Sequence, residues 1–164
     1  GGEVLAPGRP GRPIQIIDAR DLAHWIIQMM EKGVTGTYNA VGPEYTLTMG
    51  QILEGCKKVT RSNAAFTWVS EKFLNDNKVE PWGEMPLWIP EEFPLPGGKE
   101  PLNGFLAVDN DKAINNGLTF RPLSETLEDI WNWEKGRPES ADRKAGIHRQ
   151  HESDLLGLWK QTVG

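Results

Sequence analysis

Apolar residues along this chain follow two periods, and the change from one to the other marks its first elements. Ile14, Ile16 and Ile17 form a short β-branched run, the pattern of a strand covered on both faces. From Leu22 the period lengthens. Leu22, Trp25, Ile26, Met29 and Met30 recur at i, i+3, i+4, i+7 and i+8, which predicts an amphipathic helix with Asp21 as its cap and Gly33 as its stop. Residues 37–41 read as a second strand. Strand, helix and strand in about 30 residues predict a βαβ unit, its strands parallel and its crossover right-handed.

The alternation continues. Thr48 and Gln51 have the spacing of a capping box ahead of Ile52, Leu53 and Cys56, predicting a helix to about residue 59. Residues 66–69 have strand character, and Ser70 can cap a short helix through 75. The pattern breaks over 79–99, which is rich in Pro, Gly, Trp and Met and too long for a simple connector, as in a lid or binding loop. Order returns with a short strand at 105–108 and a helix from Asp109 to Gly117. Ser124 starts another helix, with Leu127, Ile130 and Trp131 inward and Gly136 after it, and a last helix spans about 149–160 with Leu155, Leu158 and Trp159. The expected fold class is α/β: a small parallel sheet of about three strands with crossover helices, a long Trp/Pro-rich loop and a helical C-terminal tail, in a single domain over residues 1–164.

Composition narrows the functions. With 38% hydrophobic residues and seven tryptophans among 164 residues, the chain has enough apolar material for a core. A formal charge of −5 gives no basic footprint for nucleic acid. No apolar run approaches the roughly 18 residues that span a bilayer, and the start lacks the features of a signal peptide, so the expectation is a cytoplasmic protein without a membrane partner. Cys56 falls on the apolar spacing of its helix and reads as a small buried hydrophobe in a reducing compartment.

Three passages carry a resemblance. Gln15-Ile16-Ile17-Asp18-Ala19-Arg20-Asp21-Leu22-Ala23, Thr37-Tyr38-Asn39-Ala40-Val41-Gly42, and Asp109 with Lys112-Ala113 followed by Gly117-Leu118-Thr119-Phe120-Arg121-Pro122-Leu123 and Glu125-Thr126-Leu127 are similar, in order and spacing, to the C-terminal part of extended short-chain dehydrogenase/reductases, the NAD-dependent epimerase/dehydratases. Trp82, Pro86, Leu87 and Trp88, with Lys144-Ala145-Gly146-Ile147, His151-Glu152, Leu155-Leu156 and Trp159, resemble a reductase-like bacterial subgroup. The resemblance implies a partial Rossmann-type fold, a small carbonyl or hydroxyl substrate, and NAD or NADP as cofactor of the full-length family.

That chemistry needs a glycine-rich turn to hold the pyrophosphate and a tyrosine with lysine four positions on. Neither is in this sequence. Tyr38 is followed at that spacing by Gly42, and Tyr45 by Met49; no GxGxxG or GxxGxxG occurs. The expectation is a substrate-binding portion whose nucleotide-binding portion lies outside the chain, with no catalytic residue, no cofactor bound tightly and no activity alone. The alternative is an interaction module that completes a separate cofactor domain or self-associates through open strand edges.

The candidate substrate-binding residues are Arg12, Gln15, Trp82, Met85 and Trp88. Gln15 is an amide in an apolar strand and must find partners, as at a pocket wall. Nucleotide-sugar members of the resembled family carry a phosphate-binding arginine one position before the place of Gln15; here that residue is Ile14, which disfavours such substrates and leaves Arg12 as a nearby cation. Trp82, Met85, Leu87, Trp88 and Phe93 either line a pocket or pin the loop to the core. Asp21 and Arg20 read as structural, His24 as a surface residue, and Trp131 and Trp133 as packing. His148, His151 and Glu152 lack a third strong ligand and read as a solvated face, so no metal site is expected.

Overall fold

The first regular element lies where the hydrophobic pattern indicates none. In the computed structural model, which describes residues 2–95, 98–138 and 143–163, strand β1 (Glu3–Pro7) pairs in parallel with β4 (Ala65–Val69). The register runs from Glu3 opposite Ala65 to Pro7 opposite Val69. Leu5 and Ala6 are buried, and the free edge of β1 is occupied where the Leu5 amide donates to the Glu152 carboxylate at 3.0 Å.

The expected βαβ unit is replaced by a different connection. Ile14 belongs to the two-residue strand β2 (Pro13–Ile14), which runs antiparallel to β3 (Leu47–Thr48). Residues 37–41 form no strand. Their polar groups are met by other elements instead: Asn39 donates to the Asp109 carbonyl at 2.9 Å, and Lys112 donates to the Thr37 carbonyl at 2.8 Å. One backbone bond, Ile16 N–H to the Gly42 carbonyl at 2.9 Å, ties the segments together. The approach is close there, because a Cβ on Gly42 would fall 2.4 Å from the Phe120 ring and 2.9 Å from the Ile16 carbonyl.

Helix α1 (Ala19–Glu31) starts one turn earlier than its apolar stripe indicates. Asp18, in extended backbone, accepts from the Arg20 amide at 2.9 Å and is the cap. Asp21 is committed elsewhere: its carboxylate receives the Arg121 amide at 3.0 Å and Nε at 2.9 Å. Trp25 and Met29 face a smaller core cluster with Ala113 and Leu118.

Both halves of the capping box form in α2 (Met49–Thr60): Thr48 Oγ1 accepts from the Gln51 amide and Gln51 Oε1 from the Thr48 amide. Helix α2 packs on α5 (Leu123–Lys135) through Gly55, where a Cβ would lie 2.7 Å from Leu127 Cδ1. That contact fixes the inward side of α2 and leaves Cys56 exposed, correcting the expectation of a buried thiol. Helix α5 begins after Pro122, which takes the cap position without a side-chain bond, so Ser124 lies within the first turn. Leu127 is buried, whereas Ile130 is exposed.

Ser70 caps α3 (Glu71–Asp76) by accepting from the Phe73 amide. Within the long segment that follows, β5 (Glu92–Leu95) and β6 (Gly98–Pro101) pair antiparallel; residues 96 and 97 of the expected loop, and the side chain of Phe93, lie outside the described ones. Residues 105–108 form turns and irregular chain rather than a strand, because the Val108 peptide is bonded by a side chain. Helix α4 (Asp111–Ile114) follows, with Asp109 accepting from the Asp111 amide. Helix α6 (Arg149–Val163) seats Leu155 and Leu156 in the main core and packs Trp159 on Phe73 with ring centroids 5.0 Å apart.

The arrangement is mixed α/β, with one parallel pair and two antiparallel pairs among the described residues and six helices around them. Among those residues no helix is long and apolar enough to cross a membrane.

Candidate binding site around residues 9–15 and the 79–95 loop

The segment between β1 and β2 begins with Gly8, whose positive φ of 67° turns the chain after the strand and whose amide donates to the Val69 carbonyl. The turn sends Arg12 into the interior, where only 4% of the residue is exposed. A buried guanidinium needs partners for its donors. Arg12 Nη1 meets Glu71 Oε1 and Glu91 Oε1, each at 3.1 Å, and Nη2 donates to the Ile89 carbonyl at 2.8 Å.

Glu71, in the first turn of α3, collects the rest of the network. Its Oε1 also accepts the Trp88 indole N–H at 3.1 Å and its Oε2 the Glu91 amide at 2.8 Å. Trp88 is 1% exposed. Arg12 and Trp88 thus meet through one carboxylate, and together they anchor residues 88–91 onto α3. Arg9 adds an exposed pair to Glu91 at 2.7 Å.

Met85 is buried, and its carbonyl accepts the amides of Trp82 and Trp88, both at 3.2 Å. This double turn holds Trp82 and Leu87 at φ 64°, a conformation that side chains other than glycine, asparagine and aspartate seldom adopt. Trp82 emerges with 53% of its surface exposed. The loop is tied to α6 and the chain before it: His151 Nδ1 lies 2.9 Å from Glu84 Oε1, and the Gly146 amide donates to the Gly83 carbonyl at 2.9 Å. The Glu84 carboxyl is held below its ordinary pKa chiefly by the Glu80 amide; His151 assists, and burial acts against both.

Gln15 points the other way. Its Nε2 donates to the Val108 carbonyl at 2.7 Å while its Oε1 accepts the Val108 amide at 2.8 Å, the two-bond pattern of a strand neighbour made by a side chain. Beside it lies a pocket of about 250 Å3 whose walls include Gln15, Tyr45, Thr46, Leu106 and Asn110. Tyr45 is half exposed, and Asn110 is fixed by donating to the carbonyls of Val41 and Pro43.

The five residues singled out from sequence therefore divide. Arg12, Met85 and Trp88 are interior and shape the loop, Gln15 forms the wall of a small pocket, and Trp82 presents an open aromatic face. Among the described residues no buried side-chain nitrogen or oxygen lacks a partner, and no group of three His, Cys, Asp or Glu is placed to hold a metal ion. His148 receives the Gln150 amide, His151 meets Glu84, and Glu152 serves Leu5, three separate structural tasks. Trp82 offers an exposed aromatic ring, and Tyr45 a phenol at the wall of the pocket beside Gln15.

Glu71 escapes sequence reasoning. It is one acidic residue in the first turn of a short helix, and its importance arises from Arg12 and Trp88, which lie 59 and 17 positions away. Arg121 is likewise silent as a site residue, although it binds Asp21 at 2.8 Å and lies 3.5 Å from Asp18.

Comparison of the chain with family models, with curated proteins and with solved structures gives no match.

Proposed function

We propose that this chain is the substrate-binding part of an NAD(P)-dependent reductase- or epimerase-like oxidoreductase, taking a small carbonyl or hydroxyl compound and depending on a separate cofactor-binding part for turnover. The observation that carries the reading is the dress of α1. Trp25 and Met29 cover the core on one side, while Ile26, Ile27 and Met30 lie exposed on the other. A helix that is apolar on both sides is built for burial between two layers. The described residues supply one layer. The sequence resemblance supplies the chemistry, and the absence of GxGxxG and YxxxK from this chain supports the dependence on a partner part. The same exposed stripe also favours a second reading, an interaction module in which copies of the chain associate.

Thermal unfolding in the presence of cyclohexanone, benzaldehyde and their corresponding alcohols tests the binding role. At least one compound should raise Tm saturably, and Trp82→Ala should abolish that rise while the unliganded Tm stays within about 1 °C, since Trp82 is largely exposed. No saturable rise with any of the four overturns the reading. Titration with NADH or NADPH should show no binding tighter than about 10 μM; tighter binding overturns the dependence on a separate cofactor part.

A further inference from the structure

Between the C-terminal end of α2 and the outer side of α5 runs a groove of about 750 Å3, a volume suited to a small organic ligand. Its walls carry Lys58, Arg61 and Lys135 against a single carboxylate, Glu128. This is a local inversion in a chain whose formal charge is −5. Arg9, Arg12, Arg20, Arg121, Lys72 and Lys160 stand within ion-pair distance of a carboxylate, while several other lysines have no ion-pair partner among the described residues; what sets the groove apart is that three cations line one concave surface. Lys58, Arg61 and Lys135 have no ion-pair partner among the described residues.

Three further features give the groove its character. Arg61 occupies the left-handed C-cap of α2, φ 52°, where glycine is the usual choice, and lines the groove just past the last helical turn. Trp131 lines the same groove, with Lys135 Nζ 5.7 Å from its ring centroid. Ser124 and Asn132 add neutral donors on the same side.

We propose that this groove binds a small organic anion bearing a flat ring, with the anionic head held by Lys58, Arg61 and Lys135 and the ring laid against Trp131. Charge complementarity selects the anion, and the guanidinium can engage a carboxylate or a phosphate through paired bonds. The tryptophan face selects the planar body, and Lys135 at its edge supplies charge beside the ring. Basic residues near helix C-termini also complement the helix dipole. That role predicts an effect on stability alone and makes no use of the ring.

Calorimetric titration of the full chain with benzoate and phenyl phosphate tests the site, with acetate, inorganic phosphate and cyclohexanecarboxylate as arms lacking the flat ring. One aromatic anion should bind saturably at about 0.1–1 mM, at least about tenfold tighter than its ringless counterpart. Which of the two binds identifies the head. Arg61→Gly should weaken binding by about tenfold or more while keeping Tm, because glycine suits the left-handed position. Lys135→Ser should weaken it similarly, and Trp131→Leu should erase the preference for a flat ring. No saturable heat with either aromatic anion, or unchanged affinity in Arg61→Gly and Lys135→Ser, overturns the proposal. Trp82→Ala should leave this binding intact, so its outcome is separate from that of the loop site.

Discussion

A single carboxylate, Asp18, joins three parts of the molecule. It caps α1 through the Arg20 amide, receives two bonds from the Arg20 side chain at 2.9 and 2.7 Å, and accepts the Thr126 hydroxyl of α5 at 2.8 Å. The Arg20 side chain is the main reason its pKa falls well below the ordinary carboxylate value; burial opposes the shift, and the Arg20 amide, Thr126 and Arg121 add to it. A lowered folded-state pKa means that the unfolded chain takes up the proton more readily. The stabilisation is therefore fully present above about pH 4, the unfolded value, and is lost as pH falls through the folded value below it. Asp18→Asn keeps an acceptor at the cap but removes the charge facing Arg20 and Arg121. Thermal unfolding at pH 7 should show a loss of about 1–2 kcal/mol, and the acid-side decline below about pH 4 should become shallower than in the parent. The apolar stripe of α1 points to Asp21 because Leu22 is its first apolar member; the choice between two aspartates three residues apart rests on Arg121, a hundred positions on.

At the scale of elements, local signals were legible and long-range ones were not. Thr48 with Gln51 and Ser70 with its short helix carry their information within four residues, and both caps form as expected. Strand pairing depends on distant partners. The segment at 14–17 has the composition of a buried parallel strand, yet only Pro13 and Ile14 pair, antiparallel to Leu47 and Thr48, while the parallel ladder forms between Glu3–Pro7 and Ala65–Val69. The loop at 79–95 shows why the candidate site was only half legible. Its aromatic content marks it, but which tryptophan packs and which stays open depends on a carboxylate of α3. Arg12→Ala tests that anchor. It leaves Glu71 and the Ile89 carbonyl without their buried partner, so the variant should lose about 3 kcal/mol of stability in denaturant unfolding. Limited proteolysis should cut first within residues 82–92. Cleavage elsewhere with the loop protected would place the anchor in other contacts.

For the whole molecule, the outer stripe of α1 is an exposed apolar surface with a testable consequence in solution. Met30 is 75% exposed, and Ile26 and Ile27 extend the same side of the helix. The chain should bind a hydrophobic dye and scatter light in a concentration-dependent way. Ile27→Lys with Met30→Glu should reduce both signals several-fold while Tm shifts by less than about 2 °C, since neither side chain is part of the core clusters. Unchanged scattering would locate the sticky surface elsewhere. Net charge and hydropathy give no hint of this stripe, because Ile26 and Met30 read as members of the inward period until the neighbours of Trp25 and Met29 are known.

The Glu152 carboxylate on the Leu5 amide has a bearing on how copies of this chain could join. The parallel pair has two outer margins, and α6 plugs the one on β1 with a side chain that only accepts hydrogen bonds. Among the described residues no strand covers the β4 margin. If two copies were to pair through β4, the Glu152 carboxylate on the outer margin of β1 would oppose the addition of a third strand to that same ribbon.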